Sequence, residues 1–566
     1  FNVAAIGLLL GVTAARPARR GRRAGRPAAA PGSVWRDPAT WTVAAAVFGA
    51  YFVISLFRLL QLAPGSYDFG IYTEYVKQLS QLHAPVVDAL GPGFNLLGNH
   101  FQVALALLAP LFRVFPSPAT LLFSQALLAA VSVFPVAAAA QVFTGRNTAR
   151  LIGFAYGFSW GLQQMISFDF HEIALAVPLL AFSVSALVRR RPAAVVAWAV
   201  PLVFVKEDQG FNVAAIGLLL GVTAAFPPDL SRGWRSRLPH PGGPDRWGDG
   251  RLALWGGLFL IAWGLAWSVF AITVIIPHFN PQHAYYFWQD GGTLGGKQPF
   301  SVGSLIVQSG GGWPAKAQTL LMLLLPTAFA ALGSPVALLA LPSLALRFVS
   351  TNSLFWGTQF HYDAAVMPIL FIAAAEAIGR MRGDPLLAAP ALPGSAFPGS
   401  AFPGFAFPES AFARAVWRAR LALDFLDPVR EVIRAARAGV ARHGGAMMAA
   451  IAVALAFQFP LHTLWQSGTY RLDAHDAAAG AAMAVVPDGA TVQTNMDLLA
   501  PLAARTDTFW LGNAGNPVTQ YIVFDGDDSG YSPNISAVPA FIRMLYPRDG
   551  YVQVFERDDV YVYRRG

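Results

Sequence analysis

The feature that most constrains this chain is a series of apolar runs, each close to the length a helix needs to cross a bilayer. A crossing helix takes about 20 predominantly apolar residues. Candidates are Trp41 to Ala63, Pro118 to Phe143, Leu151 to Ser167, Ile173 to Val188, Ala193 to Val205, Phe211 to Ala225, Leu252 to Ile276, Ala317 to Leu332, Pro335 to Phe348, Ala364 to Ile378 and Ala446 to Leu464. The expected fold class is an α-helical polytopic membrane protein with about eleven transmembrane helices, several of them short. Composition agrees, since the 566 residues are 55% hydrophobic and only 13% charged, where a soluble protein is roughly a quarter charged.

A net charge of +9 could point to nucleic acid, but the basic residues sit in short loops between apolar runs, as topology signals do. No nucleic-acid partner is expected. The chain has no cysteine, which excludes disulfides, thiolate nucleophiles and Cys-ligated metals.

Residues 1–15, FNVAAIGLLLGVTAA, recur letter for letter at Phe211 to Ala225. A working tandem repeat would be longer and would have drifted, so the first copy reads as an artefact and residues 1–40 as a basic cytoplasmic segment. The internal copy keeps GLLLG, a small-xxx-small pattern that permits close helix approach.

Sidedness turns on the apolar run Phe101 to Phe115. If it lies in the outer interface, RPARRGRRAGR (Arg16 to Arg26), TGRNTAR (Thr144 to Arg150), Arg189 to Arg191, the Arg232 to Arg251 loop and Arg380 to Arg442 all fall inside. If it crosses, all but the first move outside, against the positive-inside rule. The interfacial reading gives a multi-pass protein of the bacterial cytoplasmic membrane, N-terminus inside. A transmembrane domain spans 41–379 with an outer loop at 64–117. Residues 380–445, with the repeat PGSAFPGSAFPGFAFPESAF, read as a cytoplasmic low-complexity linker, and 446–466 as the last span. Residues 467–566 then form a small outer α/β domain, with a helix at Asp473 to Val486, strands in TVQT, QYIVF and YVQVFERDDVYVYRR, and turns at VPDG and DGDDSG.

That topology gathers the chain's acids and histidines on the outer side. SYDFGIYTEY, Ser66 to Tyr75, supplies Asp68 and Glu74; the same loop adds His83, Asp88 and His100. FDFHE supplies Asp169, His171 and Glu172; KED supplies Lys206, Glu207 and Asp208. HFNPQHAYYFWQD brings His278, His283, Asp290 and the aromatics Tyr285, Tyr286, Phe287 and Trp288; TQFHYD brings His361 and Asp363. Singly, each has a plain explanation. Asp68 could cap a helix, His171 could be structural, KED could satisfy itself, the aromatics could form an interfacial belt, and Arg58 could snorkel. Convergence of separate loops on one side makes them a functional-site hypothesis.

The order of SYDFGIY after the first span, an outer loop ending in NHF, then FDFHE, KED, FHYD and a VPDGATVQTN domain resembles a DUF family of predicted bacterial polytopic membrane proteins. That family is in turn similar to the GT-C class of integral membrane glycosyltransferases, with protein mannosyltransferase-like members. The resemblance covers nearly the whole chain from Trp41. It implies a GT-C-like fold and an enzyme transferring a sugar from a polyprenyl-phosphate-linked donor to an extracytoplasmic acceptor. Asp68 matches the essential acid that ends the first helix in that class, and Asp169, with His171 beside it, matches the second acidic site. Glu74 is then a solvated or pairing residue. This chain has Asp-Phe-Gly where the mannosyltransferase-like branch has a paired acid, which leaves the acceptor unassigned.

The chemistry needs a carboxylate to take the acceptor proton and positive charge for the departing phosphate. Asp68 is the base, with Asp169 and His171 in the catalytic group. Arg58 and Lys206 suit the phosphate, and His100, Glu172, Glu207 and His361 complete the substrate-binding set. No cofactor is assigned, and Asp68, His171 and Glu172 could hold a divalent metal ion. The expected partners are a lipid-linked sugar donor and membrane lipids. A membrane transporter and a non-catalytic GT-C-like scaffold of envelope assembly are the alternative readings.

Overall fold

A computed structural model describes residues 33–63, 66–225, 250–285, 311–350, 352–383, 427–513, 515–527 and 538–566. The basic N-terminal segment with its duplicated stretch, most of the 232–251 loop, Tyr286, Phe287, Trp288, Asp290 and the Pro/Phe repeat lie outside the described residues.

The structure is mostly helical, with one small sheet near the C-terminus. Among the described residues five helical segments are long and apolar enough to cross a membrane: Pro38–Leu60 (α1), Pro118–Thr144 (α3), Gly250–Phe279, His361–Gly383 and Glu431–Ala456. Between α1 and α3 runs Asp68–Ser80 (α2). Shorter apolar helices include Ile173–Val188 (α4) and Gln209–Ala225 (α5). The α-helical part of the third long segment, Gly250–Phe270, is α6, and Val366–Gly383 is α7.

Several sequence-based boundaries differ from the structure: the run Ala317 to Leu332 leaves its helix after Leu324 and turns through left-handed Ala328 and Phe329. The run Leu151 to Ser167 is two helices, Arg146–Gly157 and Trp160–Ser167. The last long helix, Asp427–Ala456 (α8), starts well inside the segment read as linker; EVIRAARAGVARH is rich in Ala and Arg, both good helix formers.

Helices in lipid gain little from apolar contact alone and rely on close packing. The pair α5 and α6 shows how. A Cβ on Gly210 would lie 2.2 Å from the Gly264 carbonyl oxygen, and one on Gly217 would lie 2.6 Å from that of Gly257. Each helix spaces its glycines seven apart, two turns, so both contacts fall on one face. Gly221 of GLLLG also presents its backbone to Gly257.

The run Phe101 to Phe115 folds as a short helical segment, Val103–Val114. Its first six residues are a 3-10 helix and its last six an α-helix, so at about 2.0 and 1.5 Å per residue it reaches about 21 Å, short of the roughly 30 Å hydrocarbon core. Leu107, Val114 and Phe115 on it are exposed.

After α8 come Ala474–Val485 (α9) and Thr491–Thr494 (β1), then Met496–Ala503 (α10), Asp507–Trp510 (β2), Tyr521–Asp525 (β3), Tyr551–Arg557 (β4) and Val560–Arg565 (β5). The sheet order is β2-β1-β3-β5-β4, parallel through β3 and antiparallel beyond it. A reciprocal capping box between Asp473 and Asp476 starts α9, satisfying donors the helix leaves orphaned.

Helix α10 is two-faced. Leu498 and Leu502, four apart and so on one face, enter the sheet core with Val492, Val523 and Val562. Leu499 and Ala500 join the core of the helical region. Leu499 packs on α2 where Gly70 leaves room: a Cβ there would lie 2.4 Å from Leu499 Cδ2. Lys77 Nζ donates to the Thr506 carbonyl at 2.5 Å, and Gln61 Nε2 donates to the Gly468 and Arg471 carbonyls. The sheet domain is thus fastened along the helix that begins with Asp68.

Candidate functional site

The candidate residues sit in turns that precede helices. Asp68 opens α2; Asp169, His171 and Glu172 lead into α4; Lys206 and Glu207 lead into α5; His361 lies in the turn before α7. Arg58 is in the last turn of α1. Charges in such turns escape the apolar middle of a span while staying fixed by the helix that follows.

His171 Nε2 lies 3.2 Å from Asp68 Oδ2. The His171 ring stacks on His361 at 3.9 Å between centroids and on Phe168 at 4.9 Å. His171 Nδ1 is buried without a hydrogen-bond partner. The FDFHE turn is shaped from a neighbouring helix: Gln125, in the first third of α3, donates to the Asp169 carbonyl at 2.8 Å and accepts from the His171 amide at 3.1 Å. Asp169 takes a left-handed φ of 60° there, a conformation that Asp tolerates better than most residues. Arg58 Nε lies 3.7 Å from its carboxylate.

Glu172 is fully buried and both its oxygens are used. Tyr72 donates to Oε2 at 2.6 Å and Lys206 Nζ to Oε1 at 2.9 Å. Gln102 Nε2 in turn donates to the Tyr72 hydroxyl at 3.2 Å. Glu207 accepts from the Phe101 amide at 3.0 Å and the Tyr285 hydroxyl at 3.0 Å, and His100 Nδ1 lies 2.7 Å away. The Phe101 amide that holds Glu207 belongs to the residue next to Gln102, so the two carboxylate groups are anchored by adjoining residues.

Electrostatics divide the groups by role. Asp68 is surrounded by the other charged groups, yet 46% of its side-chain surface is accessible, which makes it the exposed member of the cluster. Burial raises its pKa, but the His171 hydrogen bond and charge, with Lys206, override this and leave it below the ordinary value. Burial also works against charge on Glu172, and the Lys206 ammonium foremost pulls it far below its usual range. Lys206 moves up despite burial, held by Glu172 and, more weakly, Asp208 and Glu207. Burial opposes and His100 favours the Glu207 carboxylate, which ends below its usual range. At neutral pH the cluster therefore holds an ionised Asp68 and a charged Lys206.

Asp68, Asp169, His171, Glu172, Lys206, Glu207, His100, His361 and Arg58 all fall in this region or on its direct partners. Asp88, His83 and Asp363 have other partners. Asp88 accepts from the Gly93 amide and His83 contacts Gln78. Asp363 is held by Arg347 at 2.6 Å. Glu74 is corrected: it is fully buried, not solvated, it accepts a hydrogen bond from the Ala89 amide, and burial raises its pKa to about 8.

A metal on Asp68, His171 and Glu172 does not fit. Asp68 and His171 contact each other, while Glu172 is taken up by Tyr72 and Lys206. Among the described residues no three His, Asp or Glu side chains form a group that could hold a metal ion. Sequence reasoning missed Tyr72, Gln102, Gln125 and Arg347.

These observations define a helical membrane protein with a charged, partly accessible cluster where several pre-helix turns converge. The family model described as "Predicted membrane protein (DUF2079)" matches residues 58–385, more than half of the chain, and the chain belongs to that family. Every residue of the cluster lies within the matched stretch. In overall shape the chain is similar to ArnT from Cupriavidus metallidurans, whose crystal structure was solved bound to undecaprenyl phosphate; identity is 14%, coverage 94% of this chain and 98% of that one, and the TM-score 0.44. The apo structure of ArnT gives 14% identity, coverage of 92% and 97%, and a TM-score of 0.43. No curated protein matches the chain.

Proposed function

We propose that this cluster transfers a sugar from a polyprenyl-phosphate-linked donor to a hydroxyl acceptor, with Asp68 as the base. The observation that carries this reading is an accessible, ionised Asp68, braced by buried His171, in the same network of charges as a Lys206 ammonium fixed on Glu172. The acceptor oxygen forms a bond to the sugar's anomeric carbon as the carbon–oxygen bond to phosphate breaks. The electron pair leaves with the phosphate, and the acceptor proton passes to Asp68. Lys206, with Arg58 beside Asp169, supplies positive charge for the phosphate. Asp68 is a weak base, so it accepts the proton late, when the acceptor oxygen has become acidic.

The motif order that resembles the GT-C class supports the same reading. In this proposal the fold is GT-C-like with about eleven spans, the sheet domain lies on the outer face of the cytoplasmic membrane, and Val103–Val114 lies in the interface. Its length and its exposed apolar residues support that placement. The test is to supply reconstituted protein with a panel of polyprenyl-phosphate-linked sugars together with a membrane extract containing protein, lipid and glycan hydroxyl acceptors, and follow release of polyprenyl phosphate. Release from at least one donor is the expected result, and none from any donor would remove the proposal.

A further inference from the structure

A recess lies at the far end of α2, away from Asp68. It is a cavity of about 480 Å³ between the helical region and the sheet domain, within the size range of small-ligand sites. Gln78, Gln81 and Asp88 line one wall and Arg505 and Asp507 the other, with Lys77 between them. A companion cavity of about 280 Å³ shares Lys77, Gln81 and Ala504 and is also lined by Arg113.

The lining selects a ligand class. Side-chain amides offer donors and acceptors together, carboxylates only accept, and ammonium and guanidinium only donate. The larger cavity carries no Phe, Tyr, Trp or bulky aliphatic side chain, and its one ring, the His83 imidazole, is itself polar, which disfavours a lipid tail. Asp88 and Asp507 beside the cations disfavour a polyanion. What fits is a molecule whose every polar group both donates and accepts, and that is a hydroxyl. The cations are already held in place. Lys77 is buried, with its ammonium on the Thr506 carbonyl and 3.7 Å from Asp507, and Arg505 donates to Val486 and Asp488 at 2.7 Å each.

We propose that this cleft docks an uncharged polyhydroxylated chain, a glycan segment, between the end of α2 and the sheet domain. Calling that chain the acceptor rests on the transfer reading above; its binding does not. Lys77 follows Asp68 by nine residues, a rise of about 13 Å along the helix, which sets the separation between this cleft and Asp68.

The test uses the full chain in lipid nanodiscs and measures equilibrium binding of maltohexaose and chitohexaose, with hexagalacturonate as an acidic counterpart. Saturable binding of at least one neutral hexaose is expected. It should weaken by at least about tenfold in Gln81→Trp, which fills the cleft from an exposed position, and less in Gln81→Ala, with the thermal midpoint unchanged. If Gln81→Trp does not fold, Gln81→Ala decides. Failure of both neutral hexaoses to bind, preference for the acidic one, or binding indifferent to Gln81 overturns the proposal. Asp68→Asn should bind the hexaose normally, so loss of the transfer reading and loss of this one are separate results.

Discussion

His171 Nε2 and Asp68 Oδ2 lie 3.2 Å apart although their residues are 103 positions apart in sequence. That contact joins the first turn of α2 to the turn before α4 and lowers the pKa of the carboxylate that the cluster exposes. Removing the imidazole should therefore raise the Asp68 pKa. In His171→Ala, the acid limb of a transfer-rate profile should move to higher pH. A limb that stays in place would show that His171 does not act on Asp68.

The Glu172–Lys206 pair is buried, and breaking one side of such a pair costs about 3–5 kcal/mol. Glu172→Gln should lower unfolding stability by about that amount, as read by denaturation in detergent. The double variant with Lys206→Met should lose less than the sum of the two single changes, because the partners share one interaction.

Glu74 sets a pH dependence. Its folded pKa is raised from 4.5 to about 8, so the folded state holds its proton more tightly than the unfolded chain. Its contribution to stability is complete below about pH 4.5 and is lost as pH rises through about 8. The thermal midpoint of Glu74→Gln should therefore fall less than that of the parent between pH 5 and 8.5, about the window those two values span.

Gly70 is where the sheet domain meets α2. A methyl group there would overlap Leu499, and overpacking of this kind costs about 1–3 kcal/mol. Gly70→Ala should lower the unfolding midpoint, and adding Leu499→Ala should restore part of the loss. No loss in Gly70→Ala would mean that α2 and α10 are not held in this contact.

The class of fold was legible because membrane helices announce themselves by length and apolar content, and the sheet domain by short β-rich segments between turns. The run Leu151 to Ser167 was not, because hydropathy is blind to the break between Gly157 and Trp160. Asp68, His171 and Lys206 could be picked out as charges in short turns beside apolar runs. Their partners could not be assigned so directly. Tyr72 lies one turn from Asp68, a spacing that shares a face, but tyrosines crowd that helix. Gln125 and Arg347 carried a usable signal, a polar or charged side chain inside an apolar run, and both hold functional turns. Glu74 was misjudged because burial of a loop-side helix is a tertiary property that its own sequence, half polar, does not record.

The central claim is that Asp68 takes the acceptor proton, and Asp68→Asn tests it most directly. The substitution keeps size and shape, and 46% of the side-chain surface is accessible, so the variant should fold and insert with an unchanged thermal midpoint. With a lipid-linked donor that the parent protein uses, its rate of sugar transfer in proteoliposomes should fall by at least about 100-fold, the lower end of what general base catalysis contributes. Transfer at the parent rate by a folded Asp68→Asn protein would contradict the account.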